Sequence, residues 1–362
     1  MSPVRDKNLE SSGSLKAGIS NGMRLLVVTQ AVDADDSALG FFHRWLEEFA
    51  PRFNTIEVIC LKEGVHALPP NVHVHSLGKP ASRLRYVGNF YRYIFSLHYD
   101  TVFVHMNEEY VLLGGLWWRL LGKRIVLWRN HKMGSWRTRL SVRLSDTVCY
   151  TSPTSFVASS PNAVQMPIGI DTEFFVPPTT IALPDTILLF GRLDSVKRCD
   201  IFFDALALMH ENGTTFHADS YGDPTIPDDP YAREVKQKAE PLAVAGRLAF
   251  HSSMPNREAP HIYGAHAIYV NLTPSGSFDK TIGEAMACGC IVVCVNDAVR
   301  GIVRDELMAN DGDARDVARA LEAALHLSAT ERAAEASKLR AYIEEHHSLR
   351  ELAARLEHQL RG

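Results

Sequence analysis

The feature that most constrains this chain is an alternation that runs, stops and starts again. From residue 24 to 151 the strand candidates are RLLVVT (24–29), IEVICL (56–61), VHVHSL (72–77), TVFVH (101–105), RIVLW (124–128) and TVCYT (147–151). Segments of helical period lie among them at 41–50, 83–98, 109–121 and 135–145. Near-continuous apolar strands need a sheet covered on both faces, and strand–helix alternation builds parallel sheets. The stretch MPIGIDTEFFVPPTTIALPD (166–185), with four prolines, breaks the pattern and reads as an interdomain linker. The alternation then resumes with TILLF (186–190), a helix at 199–212, FHADSYG (216–222), RLAFH (247–251), HAIYVNL (266–272) and CIVVCVN (290–296). Helices at 314–326, 329–345 and near 348–360 close the chain.

The expected fold class is therefore α/β, with two Rossmann-like domains whose parallel sheets face a central cleft. A chain of 362 residues is too long for one small core, which agrees with two domains. The expected divisions are a leader of mixed charge, Ser and Gly (1–22), an N-terminal acceptor domain (23–165), the linker (166–185), a C-terminal domain (186–345), and a last helix (346–362). That helix either crosses back to the first domain or lies on the surface of the second.

A formal net charge of −4, with no long block of like charge, argues against a nucleic-acid partner. Six cysteines lie mostly in apolar runs, which suits reduced, buried thiols. Cys288, Cys290 and Cys294 are the nearest approach to a metal-ligand set, but no matching pair occurs elsewhere, so no metal site is expected. The sequence contains no run of 18 apolar residues and no signal peptide, so a cytoplasmic location is expected.

Ligands of such sheets bind at the carboxyl ends of the strands. After 186–190 comes GRLDSVKR, with Gly191, Arg192 and Lys197. Two cations at the start of a helix oppose its dipole unless an anion lies between them; the alternative is a pair of solvated surface cations. After 266–272 comes SGSFDKTIGEAMACGC (275–290), in which Gly276, Ser277, Phe278, Asp279 and Lys280 open a helix. Its free N–H groups suit a diphosphate, and Glu284, about one turn deeper, suits ribose hydroxyls. Asp279 alone also fits a simple N-cap. Gly283 costs on the order of 1 kcal/mol in a helix and suggests close approach of another group. LWRNHK (127–132) brings His131, either a cleft residue or a structural one. Gly40 follows the first strand, without the G-x-G-x-x-G of dinucleotide binders. Nearby Asp33, Asp35 and Asp36 read as loop caps. In 82–95, Arg83, Arg85 and Arg92 interleave with aromatics, either as a helix packing on its sheet or as a contact with an anionic membrane.

Together these residues resemble the GT-B glycosyltransferases of family 4, retaining nucleotide-sugar transferases, over most of 23–360. GRLDSVK resembles the family's G-R-L-x-x-x-K, MPIGIDTEFF its N-G-I-D-x-x-x-F with Ile168 in place of Asn, and GEAMACGCIVV its L-E-A-M-A-C-G-x-P-V-V. The resemblance implies that Glu284 is the second acid of a Glu-x7-Glu motif, the ribose ligand. The first acid falls on Gly276, so the sugar contact differs, and Asp279 is the candidate substitute carboxylate. It also implies that Lys280 makes a further phosphate contact, that His131 is the cleft histidine, and that Gly40 is the loop glycine near donor and acceptor.

The expected activity is retaining transfer of a hexosyl unit from a UDP- or GDP-sugar to an acceptor hydroxyl, without cofactor or metal. Catalysis would rest on His131, Arg192 and Lys197. Donor contacts would come from Gly40, Gly191, Gly276, Ser277, Phe278, Asp279, Lys280 and Glu284. The expected partners are a nucleotide sugar and a glycan or lipid-linked acceptor, with 82–95 as a candidate peripheral contact at the inner face of a membrane. The alternatives are a catalytically silent nucleotide-sugar-binding subunit, motivated by Gly276, and a dinucleotide-dependent oxidoreductase, disfavoured by the missing fingerprint.

Overall fold

A computed structural model describes residues 22–36, 39–78, 83–179, 182–275 and 277–362. The N-terminal sheet comprises β1 (Arg24–Val32), β2 (Thr55–Glu63), β3 (Val72–Ser76), β4 (Thr101–His105), β5 (Arg124–Trp128), β6 (Thr147–Tyr150) and β7 (Ala163–Gln165). Its order is β3-β2-β1-β4-β5-β6-β7. The C-terminal sheet comprises β8 (Thr186–Phe190), β9 (His217–Tyr221), β10 (Leu248–His251), β11 (Ile268–Asn271) and β12 (Ile291–Cys294), in the order β10-β9-β8-β11-β12. Every pairing in both sheets is parallel, as unbroken apolar strands require.

Helices cover both faces of the first sheet. On one lie α1 (Phe41–Phe49) and the chain's last helix, α11 (Leu349–Arg361). On the other lie α2 (Arg83–Ser96), α3 (Glu108–Leu120) and α4 (Trp136–Leu144). The second sheet carries α5 (Cys199–Glu211), α6 (Pro230–Val244), α7 (Ala259–Gly264), α8 (Lys280–Ala287), α9 (Ala314–His326) and α10 (Ala329–His346).

The final helix crosses between the domains. Leu349, Leu352, Leu356 and Leu360 join Trp45, Phe49, Phe103 and Trp128 in the N-terminal core. Each fully buried leucine removes apolar surface worth about 1.5–3 kcal/mol. At the crossing, Leu349 N donates to Ile170 O at 2.7 Å and Ile170 N to His347 O at 2.8 Å, stitching the linker to the returning chain.

Three elements were not expected from periodicity. β7 is only three residues long, and α7 follows a short 3-10 turn. α6 contains Pro241, and with Pro230 in its first turn and five charged residues its helical signal is weak.

Candidate functional site

The carboxyl ends of both sheets meet in one cleft. The loop after β8 holds Gly191 at φ 145°, then Arg192, then a 3-10 turn Ser195–Lys197 capped by Asp194. Arg192 is half-exposed, with Nε 3.4 Å from Asp194 Oδ2 and Nη1 donating to Thr225 Oγ1 at 3.3 Å. Lys197 turns inward, and its ammonium lies 2.6 Å from Asp279 Oδ2, the N-cap residue of α8.

Asp279 is the hub of this wall. Besides Lys197, its carboxylate accepts from Asn271 Nδ2 at 3.1 Å, Thr273 Oγ1 at 3.0 Å and Thr281 Oγ1 at 3.0 Å. Although burial opposes ionisation, Lys197 and these donors outweigh it and hold the carboxyl well below the usual range. Asn271, the last residue of β11, also donates to Tyr269 Oη at 3.1 Å, so a fully buried amide orients the acid. Sequence reasoning missed Asn271. Its signal was a polar residue closing the apolar run AIYVNL.

Glu284 lies inside α8 and is 3% exposed; it accepts from Tyr263 Oη at 3.2 Å. Burial pushes its carboxyl up, and burial pushes the Lys280 ammonium down, each partly offset by the other's charge. Gly283 beside it answers the question of close approach. A Cβ there would meet Ile168 Cδ1 at 2.6 Å and Ile170 Cγ1 at 2.9 Å, because the linker packs directly onto this helix.

Not every expected donor residue faces the Lys197–Asp279 cluster. Lys280 reaches the other way: its Nζ donates to Gly169 O at 2.5 Å and sits 4.6 Å from the Phe41 ring and 5.4 Å from Trp45. In place of a position beside Lys197 it makes a cation–aromatic contact with α1 of the other domain, because Lys280 opens α8 on the side facing that domain. Phe278 is buried edge-on to His347, 4.9 Å away at the crossing, and Ser277 offers its carbonyl to Asn296 Nδ2 at 3.0 Å. Gly276 lies outside the described residues. Near Lys280, His105 at the end of β4 stacks on Phe42 at 4.3 Å and is pushed down to about 3 by burial and the Lys280 charge.

The N-terminal wall brings His131, Lys132 and Gly40. His131 is exposed after β5, and its Nδ1 lies 3.1 Å from both the N–H and the carbonyl oxygen of Met133. Arg129 is tied to Glu108 at 2.9 Å, below the loop. Gly40 opens α1, and a Cβ there would meet its own loop at Asp36 O, 2.5 Å, and Asn256 of the other domain at 3.3 Å. Asp33 and Asp36 pair with Lys62. Asp35 is not a loop cap alone, because its carboxylate pairs with Arg257 across the cleft. On the other flank Asp297 is held low by Arg300, by Ser275 and, across the cleft, by Lys132.

The six thiols are buried and free, and burial pushes the Cys288 and Cys290 thiols up. Among the described residues no group of three or more His, Cys, Asp or Glu is placed to hold a metal ion, and no helix is long and apolar enough to cross a membrane.

Residues 184–326 match the family model of glycosyl transferases, group 1. The whole architecture matches Anabaena HepE, solved in complex with UDP and glucose, over 94% of this chain and 100% of that one, at 17% identity and a TM-score of 0.75. The fold is GT-B. Sucrose-phosphate synthase from Thermosynechococcus elongatus superposes over 94% of this chain and 98% of its own, at 16% identity and a TM-score of 0.75. The lipopolysaccharide outer core galactosyltransferase WaaB covers 94% and 99%, at 14% identity and a TM-score of 0.63. No curated protein sequence matches the chain. The group 1 match begins just before β8 and ends with α9, so it contains Arg192, Lys197, Asp279 and Glu284. His131, Gly40 and the α11 crossing lie outside it, on the GT-B elements that complete the cleft.

Proposed function

We propose that this protein is a retaining, family-4-type glycosyltransferase that moves a hexosyl unit from a UDP- or GDP-sugar to an acceptor hydroxyl, in cell-surface glycan or glycolipid synthesis. The observation that carries this is the C-terminal wall. Arg192 and Lys197 lie at the end of β8, the N-terminus of α8 lies beside them, and Glu284 is buried one turn inside. Breaking the anomeric C–O bond leaves negative charge on the diphosphate, and these fixed positive groups stand where they would stabilise it. They supply the charge that a divalent cation gives elsewhere, so no metal is assigned. Glu284 holds the ribose hydroxyls. The departing phosphate oxygen takes the acceptor proton on the same face, so no protein nucleophile is required, and His131 positions sugar or acceptor from the opposite wall. HepE's complex with UDP and glucose supports a uridine donor.

A second reading has its own observation. Asp279 already satisfies Lys197, and Gly276 stands where the resemblance expects an acid, a combination that suits a protein that binds nucleotide sugar without turning it over.

A thermal-shift screen against UDP-, GDP- and ADP-sugars, followed by product assays with each hit, decides between them, since a ligand of the folded state raises apparent stability. A shift with UDP- or GDP-sugar and a product supports transfer. A shift with no product from any donor supports the binding protein, and no shift with any nucleotide overturns both. Activity lost on adding chelator would overturn the metal-free assignment.

A further inference from the structure

Helix α4 is built inside out. Its buried positions carry Thr138, Ser141 and Val142, while Trp136 and Leu140 face outward, 67% and 43% exposed. A helix facing only water places its apolar residues the other way round. Neighbouring α3 continues the pattern with Leu116 (59%), Trp117, Leu120 (70%) and Leu121 exposed. The two helices pack side by side, and Arg119 Nη1 of α3 donates to Arg143 O of α4 at 2.8 Å. Along the expected contact at 82–95, Phe90 and Ile94 are buried and Tyr86, Tyr91 and Tyr93 half-buried, while Leu84, Arg85 and Arg92 are exposed. Phe95 is exposed as well and meets Trp117 edge-on at 5.5 Å, so through it α2 adjoins the α3–α4 face.

The charge on this face is one-sided. α4 carries Arg137, Arg139 and Arg143 and no acid. Among the described residues none of these three, nor Arg119, forms an ion pair with a carboxylate, and Arg137 lies 5.7 Å over the Trp136 ring. α3 adds Arg119 and opens with Glu108, which Arg129 holds, and Glu109, so the two helices carry four arginines against two glutamates in a chain whose net charge is −4. Exposed tryptophans and leucines among unpaired arginines fit an interface that is apolar below and anionic above. From Trp136, near His131 at the cleft rim, the stripe runs the length of two helices, about 20 Å.

We infer that the outer face of α3 and α4 docks on an anionic phospholipid membrane. The contact is peripheral: Trp136, Leu140, Leu116 and Leu120 enter the headgroup boundary and the arginines meet lipid phosphates. It places the His131 rim of the cleft at the membrane surface. This docking is independent of sugar transfer and is tested without it.

The test is co-sedimentation of the full chain with vesicles of phosphatidylcholine alone and with added phosphatidylglycerol, at rising salt, while tryptophan emission is recorded. Binding should require phosphatidylglycerol, weaken with salt and shift emission to the blue. Replacing Arg137→Glu, Arg139→Glu and Arg143→Glu together should cut partitioning by about a hundredfold or more. Trp136→Phe should leave partitioning and reduce the blue shift, with Trp117 supplying the remainder. Unchanged thermal unfolding of the variants confirms their fold, which is expected because every substituted side chain is exposed. A wild-type chain that stays in the supernatant overturns the inference. So does a concentration-dependent self-association, abolished by the same substitutions, in place of vesicle binding, which would assign the face to a second copy.

Discussion

Lys197 Nζ lies 2.6 Å from Asp279 Oδ2, so the cation expected to meet the donor diphosphate is already paired with a largely buried carboxylate. Removing one partner of such a pair strands the other charge and costs about 3–5 kcal/mol. Lys197→Ala is therefore expected to lose stability as well as transfer. Lys197→Met combined with Asp279→Asn should recover most of the stability and none of the transfer, measured by urea unfolding and product formation. Arg192→Ala, at a half-exposed site, should change stability by no more than about 0.5 kcal/mol while reducing transfer. Transfer that survives both the double variant and Arg192→Ala would remove this wall from the mechanism.

Glu284 is ionised less readily than an exposed acid because burial raises its carboxyl. A ribose held by a carboxylate then binds more tightly as pH rises from the ordinary carboxylate range toward neutrality. Isothermal titration with UDP should show this trend in the wild type. Glu284→Gln should flatten it and weaken binding by about tenfold to a hundredfold, the worth of hydrogen bonds to a charged group.

Gly169 joins the domains. It adopts φ 71°, its carbonyl accepts from Trp45 Nε1 at 3.2 Å and Lys280 Nζ at 2.5 Å, and an added Cβ would meet Leu352 Cδ2 at 2.3 Å. Gly169→Ala combines left-handed strain with a clash against α11, and should destabilise by about 2 kcal/mol or more. Equilibrium urea unfolding measures the loss; a neutral substitution would mean the crossing repacks freely.

His347, also at the crossing, is pushed down to about 4, chiefly by burial. Its Nδ1 accepts from Ile168 N–H at 3.4 Å, and its Nε2 lies 3.1 Å from Tyr342 Oη. In the unfolded chain it titrates near 6.5, so below that pH the unfolded state binds the proton first. The contribution is full above about 6.5 and is lost as pH falls toward 4, on the order of 3 kcal/mol in total. Unfolding free energies across this window should slope less steeply in His347→Gln than in the wild type. Parallel slopes would show that other groups carry the acid sensitivity.

How much of this was legible depends on the distance over which each feature is encoded. RIVLW and TILLF became strands with the expected bounds, and the helices at 314–326 and near 348–360 are present, because period and capping residues are local signals. α6 was silent because Pro241 and its many charges blur the apolar stripe. At the site, GRLDSVKR and the start of α8 were recognisable as strand-end loops. The partner of Lys197 was not, since it lies 82 residues away, and nothing local distinguishes a lysine aimed at a ligand from one held by an acid. Lys280 shows the same limit. Its neighbours in sequence are donor-site candidates, but its side chain reaches Phe41 and Trp45 of the other domain.

By itself, then, the sequence determined two parallel α/β halves and the strand ends that carry cations and acid, since alternation, prolines and helix caps act over a few residues. The tertiary structure decided which charges neutralise one another, which glycines let the linker close on α8 and α1, and that α4 turns its tryptophan and leucine outward. These outcomes depend on which surfaces are brought into contact across the cleft and along the sheet, and burial and Coulomb energies are set there, by three-dimensional neighbours.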